Sequence, residues 1–503
     1  MTPARLALGA ALVAALCAAS VPVLDEESYL AIAGQLDPLR PYDWWRPWPP
    51  WNGEREADAF VYAHPPLFLW WTWAVTRLSL PFELAHRLVG IPFAALLGGS
   101  VGVLAQRTCR RPVLVGLVWL TAPVVVLSLQ RGFMPDLMVA ALMTATVAAW
   151  VESRWILAGL TLGLAVWTKY PALVVVPALL LDGVVRRSLR RSWSLWLVAG
   201  AVFVLGEGWL ALAYGRIHLV EVLTRANEIP RGEVWGRLLG VLTRLALIGP
   251  VLLALLPPGR RLVGLPAVGL AGLVFFLAQP VTLPQQSGAL LLLAVLGGLC
   301  LTLSVLALRR GWMTGGDEVL LGSWALCVIG GVVLGHNFAA ARYLLPAAAP
   351  IVLLLVMSLE QRRSGRRALV GGAVVWGMLS VALTLSEHRY ANAADDLAAQ
   401  VIAAHPAGQF TGEWTFRWRM EQAGWTFYTG DAAPGTVVAA LVNGSPGALP
   451  ADWSLLERRS VPGAGLRVVA VADRIGLYGE TLGPLPMGWS QAPVEEVVVW
   501  QAR

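Results

Sequence analysis

Long apolar runs separated by short polar loops dominate the first 386 residues of the chain. Many runs are about 18 to 22 residues long, and a helix of that length crosses the ~30 Å hydrocarbon core of a bilayer. The pattern therefore predicts about thirteen membrane-spanning helices. The predicted spans are residues 4–24, 85–106, 112–130, 134–151, 155–168, 170–185, 193–213, 237–256, 262–279, 286–308, 318–335, 343–359 and 367–386.

Two regions depart from this pattern. Within residues 25–84, "HPPLFLWWTWAVTRL" is apolar but begins with prolines, which favours a helix lying along the membrane surface. Residues 387–503 begin with the amphipathic "ANAADDLAAQVIAAHP" and continue with strand-like runs, separated by Gly and Pro. These runs are "TVVAALV", "LRVVAVA" and "EEVVVW". We expect a transmembrane domain over 1–386 and a small soluble α/β domain over 387–503.

Composition supports a polytopic α-helical membrane protein. The hydrophobic fraction is 57% and the charged fraction only 14%, whereas soluble domains carry about 25% charged residues. The net charge of +7 comes from short arginine clusters in alternate loops, which mark the cytoplasmic side. Membrane topology thus explains the positive charge, and we expect no nucleic-acid partner. The N-terminus is then cytoplasmic, and residues 25–84 and the C-terminal domain are external, in a bacterial periplasm. The clusters contain Arg107, Arg110, Arg111, Arg154, Arg186, Arg187, Arg190, Arg191, Arg260, Arg261, Arg309, Arg310, Arg362, Arg363, Arg366 and Arg367.

A possible signal peptide and the positions of the cysteines were also considered. The first apolar run followed by "CAAS" has features of a signal peptide, but we interpret it as an uncleaved first span. The four cysteines are Cys17, Cys109, Cys300 and Cys327, none of them in the C-terminal domain. We therefore expect no disulfide framework there.

Ionisable residues collect at the external ends of the predicted spans. A charge near hydrocarbon costs roughly 2.5–3.5 kcal/mol on insertion scales, so each needs a partner, a wet cavity or a function. One alternative is that these groups are interfacial anchors and mutual ion pairs. The other is that they form an active site. The groups are Asp25, Glu26, Arg87, Asp136, Lys169 and Arg342.

Lys169 is the only lysine in the chain, among 37 arginines. A coding bias towards arginine would replace lysine wherever the two are exchangeable. Lysine is a compact point charge with rotatable donors, whereas arginine is a planar fork. The pattern favours a site that needs an ammonium, such as a phosphate site, over chance survival of one lysine.

Five motifs occur in an order that resembles the C-type membrane glycosyltransferases (GT-C fold). The resemblance is to the superfamily of protein O-mannosyltransferases and the lipid A aminoarabinose transferase, and covers about residues 1–385. The motifs are "DEESY" (Asp25, Glu26, Tyr29), "HPPL" (from His64), "MPDLM" (Asp136), "GLTLGLAVWTKYPAL" (Lys169, Tyr170) and "RYLLPAAAP" (Arg342, Tyr343).

The resemblance implies a GT-C-like fold and an inverting transfer of a sugar from a polyprenyl phosphate to an acceptor hydroxyl. It implies that Asp25 is the general base, because the attacking hydroxyl must lose a proton. Lys169 and Arg342 would bind the phosphate, and Glu26 would orient Asp25 or bind the acceptor. Glu27 is interpreted as a solvated neighbour. Further substrate-binding candidates are Tyr29, His64, Arg87, Asp136, Tyr170 and Tyr343.

Several questions stay open at this point. No cofactor is expected, although Asp25 and Glu26 could hold a divalent cation. The donor sugar is unspecified, and the acceptor could be a protein, lipid A, a cell-wall glycan or another lipid-linked sugar. The alternatives are a transporter or lipid flippase, an O-antigen polymerase or ligase, and an inactive scaffold that presents the C-terminal domain.

Overall fold

The computed structural model describes most of the chain. The described residues are 2–44, 59–61, 64–228, 233–249, 273–274, 284–360, 363–444, 449–479 and 481–503.

Helices make up the membrane region, as predicted. Within the described residues, six helices are long and apolar enough to cross a membrane, or seven if one bent pair counts as a single span. The other predicted spans are shorter apolar helices or fall partly outside the described residues. The helices are α1 Pro3–Cys17, α2 Glu26–Gln35, α3 Leu67–Thr76, α4 Phe82–Thr108, α5 Pro112–Thr121, α6 Pro123–Leu129, α7 Pro135–Val151, α8 Trp155–Thr168, α9 Val176–Val185, α10 Trp193–Tyr214, α11 His218–Glu228, α12 Val234–Leu245, α13 Pro284–Thr314, α14 Glu318–Gly335, α15 Leu345–Leu359 and α16 Arg363–Ala404.

Prolines account for two of the departures from the predicted spans. The first span was expected to reach residue 24, but α1 ends at Cys17, since Pro22 would clash with the carbonyl four residues earlier in a continuing helix. The span expected over 112–130 is two helices, α5 and α6, bent by 69°. Ala122 is extended there (ψ 126°), because the residue before a proline is disfavoured in the helical region.

Two other predicted spans begin as short 3₁₀ helices. Tyr170–Val175 precedes α9, and Ala341–Leu344 precedes α15. The predicted span 237–256 begins as α12, and its end lies outside the described residues. So does nearly all of the predicted span 262–279.

The last long helix connects the membrane region to the C-terminal region without a break. We expected a span over 367–386 and a separate amphipathic helix, but both are parts of the 42-residue helix α16. The buried face of its end, with Ala394, Leu397, Ala398 and Val401, packs into the core of the C-terminal sheet.

Short strands and one helix follow α16 in the C-terminal region: β1 Gln409–Thr411, α17 Trp414–Gln422, β2 Thr426–Phe427, β3 Val437–Leu441, β4 Ser454–Val461, β5 Gly465–Arg467, β6 Val469–Ala470, β7 Ile475–Gly476, β8 Gly488–Ser490 and β9 Glu495–Gln501. Five of the strands form a mixed sheet, in the order β2-β1-β3-β9-β4. Two of the three strand-like runs form β3 and β9, which pair antiparallel. The third, "LRVVAVA", is wrong as a single strand, because it is divided between β5, β6 and a 3₁₀ turn.

A buried arginine attaches the C-terminal region to the helices. Arg244 in α12 is fully buried, and its guanidinium donates to the backbone carbonyls of Leu477 at 3.3 Å and Gly483 at 3.2 Å. The Leu477 carbonyl also accepts from the N–H of Ala341 at 3.1 Å. The C-terminal region therefore contacts the 3₁₀ helix that contains Arg342.

Candidate active site

Four side chains that are far apart in the sequence form a continuous line of charges. Arg342 Nη2 donates to Asp25 Oδ2 at 2.9 Å, and Arg342 Nε lies 3.6 Å from Asp136 Oδ2. Lys169 Nζ donates to Asp136 Oδ1 at 2.9 Å. Acids and cations alternate in the order Asp25, Arg342, Asp136, Lys169. We call these four residues the charge array.

Element boundaries place the charge array at one end of the helix bundle. Asp136 follows Pro135, the first residue of α7, where a missing N–H and a fixed φ are tolerated. Lys169 follows the last residue of α8 and is extended, with φ −164° and ψ 121°. Asp25 immediately precedes α2, and Arg342 lies in the 3₁₀ helix before α15.

Exposure differs along the charge array. The side chains of Lys169 and Asp136 are each 7% exposed and that of Arg342 is 11% exposed. The Asp25 side chain is 39% exposed. The Asp25 end of the array is therefore open to solvent, and the Lys169 end is buried.

Tyr343 lies beneath both cations of the charge array. Lys169 Nζ is 4.8 Å and Arg342 Cζ is 5.1 Å from the centre of the Tyr343 ring, within the range of cation–π attraction. His336 stacks on the same ring, with centroids 4.2 Å apart. The sequence interpretation missed His336, whose only signal was a histidine at the end of an apolar helix.

A small cavity adjoins the charge array. It has a volume of about 40 Å³ and is lined by Asp136, Lys169, His336, Arg342 and Tyr343 among apolar residues. Arg342 Nε and Asp136 Oδ2 have no hydrogen-bond partner in the described part of the chain. A site of that volume accommodates ordered water but not a drug-sized ligand, which needs about 300 Å³ or more. The cavity itself is therefore too small for a sugar phosphate.

Glu26 and Glu27 are both buried rather than facing a substrate. Glu26 is 0% exposed, and its carboxylate lies 2.8 Å from His86 Nε2 and accepts the backbone N–H groups of Val23 and Phe133 at 3.0 Å. These contacts join the start of α2 to α4 and to the chain before α7, and the role of Glu26 towards Asp25 or the acceptor stays a prediction. The solvated position expected for Glu27 is wrong, because that residue is 1% exposed.

Tyr29 and His64 lie together. Their rings stack with centroids 6.2 Å apart and an interplanar angle of 8°. The ring of Phe68 meets Tyr29 edge-on at 5.3 Å, and Tyr42 Oη donates to the His64 carbonyl at 3.0 Å. The pair therefore joins α2 to the chain that leads into α3.

Arg87 and Tyr170 have partners outside the charge array. Arg87 Nε donates to the carbonyl of Ala15 near the end of α1 at 3.2 Å. Tyr170 Oη donates to Glu207 Oε1 at 2.5 Å and lies 2.6 Å from His218 Nδ1. Neither residue contacts the charge array through these bonds, and a substrate-binding role for either one stays a prediction.

A further buried ion pair, outside the charge array, was not predicted from the sequence. Arg131 pairs with Glu387 of α16, and Gln130 donates to the same carboxylate. The Arg131 guanidinium carbon lies 3.8 Å from the centre of the Tyr478 ring. Here too, a C-terminal residue packs against the membrane region.

The C-terminal region also reaches the charge array directly. Trp414 Nε1, at the start of α17, donates to Asp25 Oδ1 at 3.2 Å.

Within the described residues no group of three or more His, Cys, Asp or Glu side chains is arranged to hold a metal ion. Whether the protein needs a cation stays a prediction.

Comparisons with known proteins give limited similarity. No protein-family model and no curated protein matches the chain. A crystal structure of ArnT from Cupriavidus metallidurans bound to undecaprenyl phosphate is 18% identical, with a TM-score of 0.40, over 87% of this chain and 92% of its own. The apo structure is 16% identical, with a TM-score of 0.37, over 85% and 90%. At this similarity, function has to be inferred from the chain's own residues.

Proposed function

We propose that the protein is an inverting glycosyltransferase that moves a sugar from a polyprenyl-phosphate donor to an acceptor hydroxyl. The transfer takes place at the periplasmic face of a bacterial inner membrane, with the N-terminus in the cytoplasm. The charge array, formed where helices begin and end, is the observation that carries this proposal.

The donor has three chemically different parts, and the array suits each of them. Its lipid lies in the bilayer beside the apolar helices, and its phosphate needs cations near the hydrocarbon boundary. Lys169 and Arg342 supply those cations from buried positions. The acceptor arrives from solvent, where the partly exposed Asp25 can meet it.

The reaction is a single displacement. The acceptor oxygen attacks the anomeric carbon, and its proton passes to Asp25 as general base. The bond between the anomeric carbon and the phosphate oxygen breaks, and the electron pair leaves with polyprenyl phosphate. Lys169 and Arg342 stabilise the charge that grows on this leaving group. One base on the face opposite the leaving group suffices, so no carboxylate nucleophile is required.

The resting ion pairs also fit this cycle. Arg342 holds Asp25, and Lys169 holds Asp136, so the cations are not left unpaired in a poorly hydrated site. An incoming phosphate would compete with the carboxylates for the cations. Withdrawal of Arg342 would release Asp25 Oδ2 as a base when the donor is bound.

The alternatives predict other arrangements. A transporter places charges near the middle of the bilayer, often in broken helices of two related halves. The array described here lies at helix ends and includes residues from four elements without a second copy in the described residues. A scaffold requires no catalytic array, so replacement of its charges would leave any transfer activity unchanged.

A donor panel tests the proposal. Purified protein in lipid would be incubated with different polyprenyl-phosphate sugars and acceptor extracts, and mass spectrometry would follow free polyprenyl phosphate. We expect turnover of one donor by the wild type and a loss of about 10²-fold or more in Lys169→Ala.

The control is Arg186→Ala, which removes a cation that pairs with Asp182 and Asp317 at the other end of α9. This variant should keep near wild-type turnover. No consumption of any donor by the wild type, or equal losses in both variants, would favour the transporter or scaffold alternatives.

A further inference from the structure

We propose that the C-terminal region completes the candidate active site through Trp414, a positioning residue for Asp25. This inference rests on the proposed function, in which Asp25 is the general base. Trp414 anchors one carboxylate oxygen and leaves the other to take the proton.

The two oxygens of Asp25 have different partners. Oδ1 accepts from Trp414 Nε1 at 3.2 Å, and Oδ2 accepts from Arg342 Nη2 at 2.9 Å. Arg342 is a cation, so an incoming phosphate can attract it away from Asp25. The indole N–H of Trp414 is neutral, so a phosphate does not attract it by charge. When Arg342 turns to the phosphate, Trp414 remains as the fixed contact of Asp25.

The backbone on both sides of this hydrogen bond adopts an unusual conformation. Trp414 has φ +67°, and Leu24, directly before Asp25, has φ +53°. Left-handed φ values are unfavourable for large residues and persist only where surrounding contacts enforce them. The chain is therefore bent at both ends of the contact that joins Trp414 to Asp25.

Neighbouring contacts hold Trp414 in this position. Thr415 Oγ1 donates to the Pro22 carbonyl at 2.5 Å, which docks the start of α17 beside Asp25. The N–H of Glu413 donates to the Gly444 carbonyl at 2.9 Å. The Trp414 ring meets Tyr390 of α16 at a 70° angle, with centroids 6.0 Å apart. The indole is thus fixed from both its own helix and α16.

A fixed carboxylate matters because a general base must reach the acceptor hydroxyl in one geometry. An aspartate that loses Arg342 and has no second contact can rotate about its side-chain bonds. Misplacement of a reacting group by about 1 Å can cost 10²-fold in rate. Trp414 prevents that rotation without binding the donor itself.

Two substitutions at position 414 test the contributions of the indole N–H and of the aromatic ring separately. Trp414→Phe keeps an aromatic ring but removes the donor. Trp414→His keeps a five-membered ring, whose Nε2 occupies nearly the position of the indole Nε1, but removes the six-membered ring. We expect Trp414→Phe to lower kcat about tenfold with the donor KM unchanged, and Trp414→His to recover most of that loss.

Arg419→Gln is the control for a general loosening of α17, because it removes the contact between this helix and Asp395 of α16 (3.6 Å) and lies outside the contacts that hold Trp414. It should keep kcat close to that of the wild type. If Trp414→Phe does not fold, 3-benzothienylalanine at position 414 keeps the bicyclic shape without an N–H and should show the same loss.

Three results would overturn the inference: wild-type kcat without the N–H at position 414, a Trp414→His variant as slow as Trp414→Phe, or an equal loss in Arg419→Gln. The proposed function is tested separately by Asp25→Asn. Loss of turnover in Asp25→Asn together with a fully active Trp414→Phe would reject the role of Trp414 alone.

Discussion

Lys169 shows how much one residue's chemistry can indicate. As the only lysine in an arginine-rich chain, it was expected to serve where a guanidinium would not. Its ammonium lies within 2.9 Å of Asp136 and 4.8 Å from the centre of the Tyr343 ring. A planar guanidinium, which is wider than an ammonium and reaches further from the backbone, cannot occupy that position without moving one of these neighbours.

Lys169→Arg should therefore lower donor turnover roughly tenfold, although the charge is kept. The measurement is the initial rate of polyprenyl phosphate release at saturating donor. Arg186→Lys, the reverse exchange in an ion pair at the other end of α9, should have little effect. Equal rates for Lys169→Arg and the wild type would show that only the charge matters at this position.

The residues of the charge array could be predicted from sequence because each lies beside a helix boundary that proline or polar residues mark. The interaction partners of the other candidate residues could not be predicted in the same way. A helix end fixes the depth of Arg87 and Tyr170, but the direction of each side chain depends on neighbouring helices. Both turn away from the array, to Ala15 and to Glu207. His336 and Trp414 were missed because nothing local to them indicates a contact across the fold.

Helices and strands were predictable to different degrees. Apolar runs gave most helix positions, since hydrocarbon requires every backbone group to be bonded within its own helix. The boundary predicted at residue 387 came from a change in composition, yet α16 continues to Ala404 because residues 378–404 contain no proline or glycine. Strands of two or three residues, such as β2 and β7, have no periodicity to detect.

Strand β9 contains a buried acid that makes the C-terminal region sensitive to pH. Glu495 is fully buried, and its Oε1 accepts the N–H groups of Asn443 and Glu496 at 2.9 Å. Burial raises the pKa of Glu495 from its usual 4.5 to about 7. The folded state then holds a proton that the unfolded state has lost, so stability falls as pH rises from about 4.5 to about 7.

Glu495→Gln should remove this loss, since an amide accepts the same two hydrogen bonds and carries no charge. We expect its apparent unfolding temperature to exceed that of the wild type by roughly 2–4 °C at pH 8, with a smaller difference at pH 5. Thermal unfolding in detergent would measure this. Glu496→Gln, at a partly exposed neighbour, is the control. The same difference at both pH values would contradict a raised pKa.

At the scale of the whole molecule, the C-terminal region is part of the candidate site rather than a separate attachment. Arg244 binds its carbonyls, Tyr478 packs on Arg131, and Trp414 reaches Asp25. Composition indicated a distinct domain because the region is more polar than the helices. It could not indicate docking, which depends on contacts between residues more than 200 positions apart.

The central claim is that this assembly makes Asp25 a general base for sugar transfer. The most direct measurement compares acceptor-dependent release of polyprenyl phosphate by the wild type, Asp25→Asn and Asp37→Asn. Asp37 lies in the same part of the chain, just after α2, where its Oδ1 accepts the Leu39 N–H at 2.9 Å, outside the charge array.

We expect Asp25→Asn to lower kcat by about 10²- to 10⁴-fold with donor binding retained, and Asp37→Asn to match the wild type. An Asp25→Asn variant that releases polyprenyl phosphate at the wild-type rate would contradict the account.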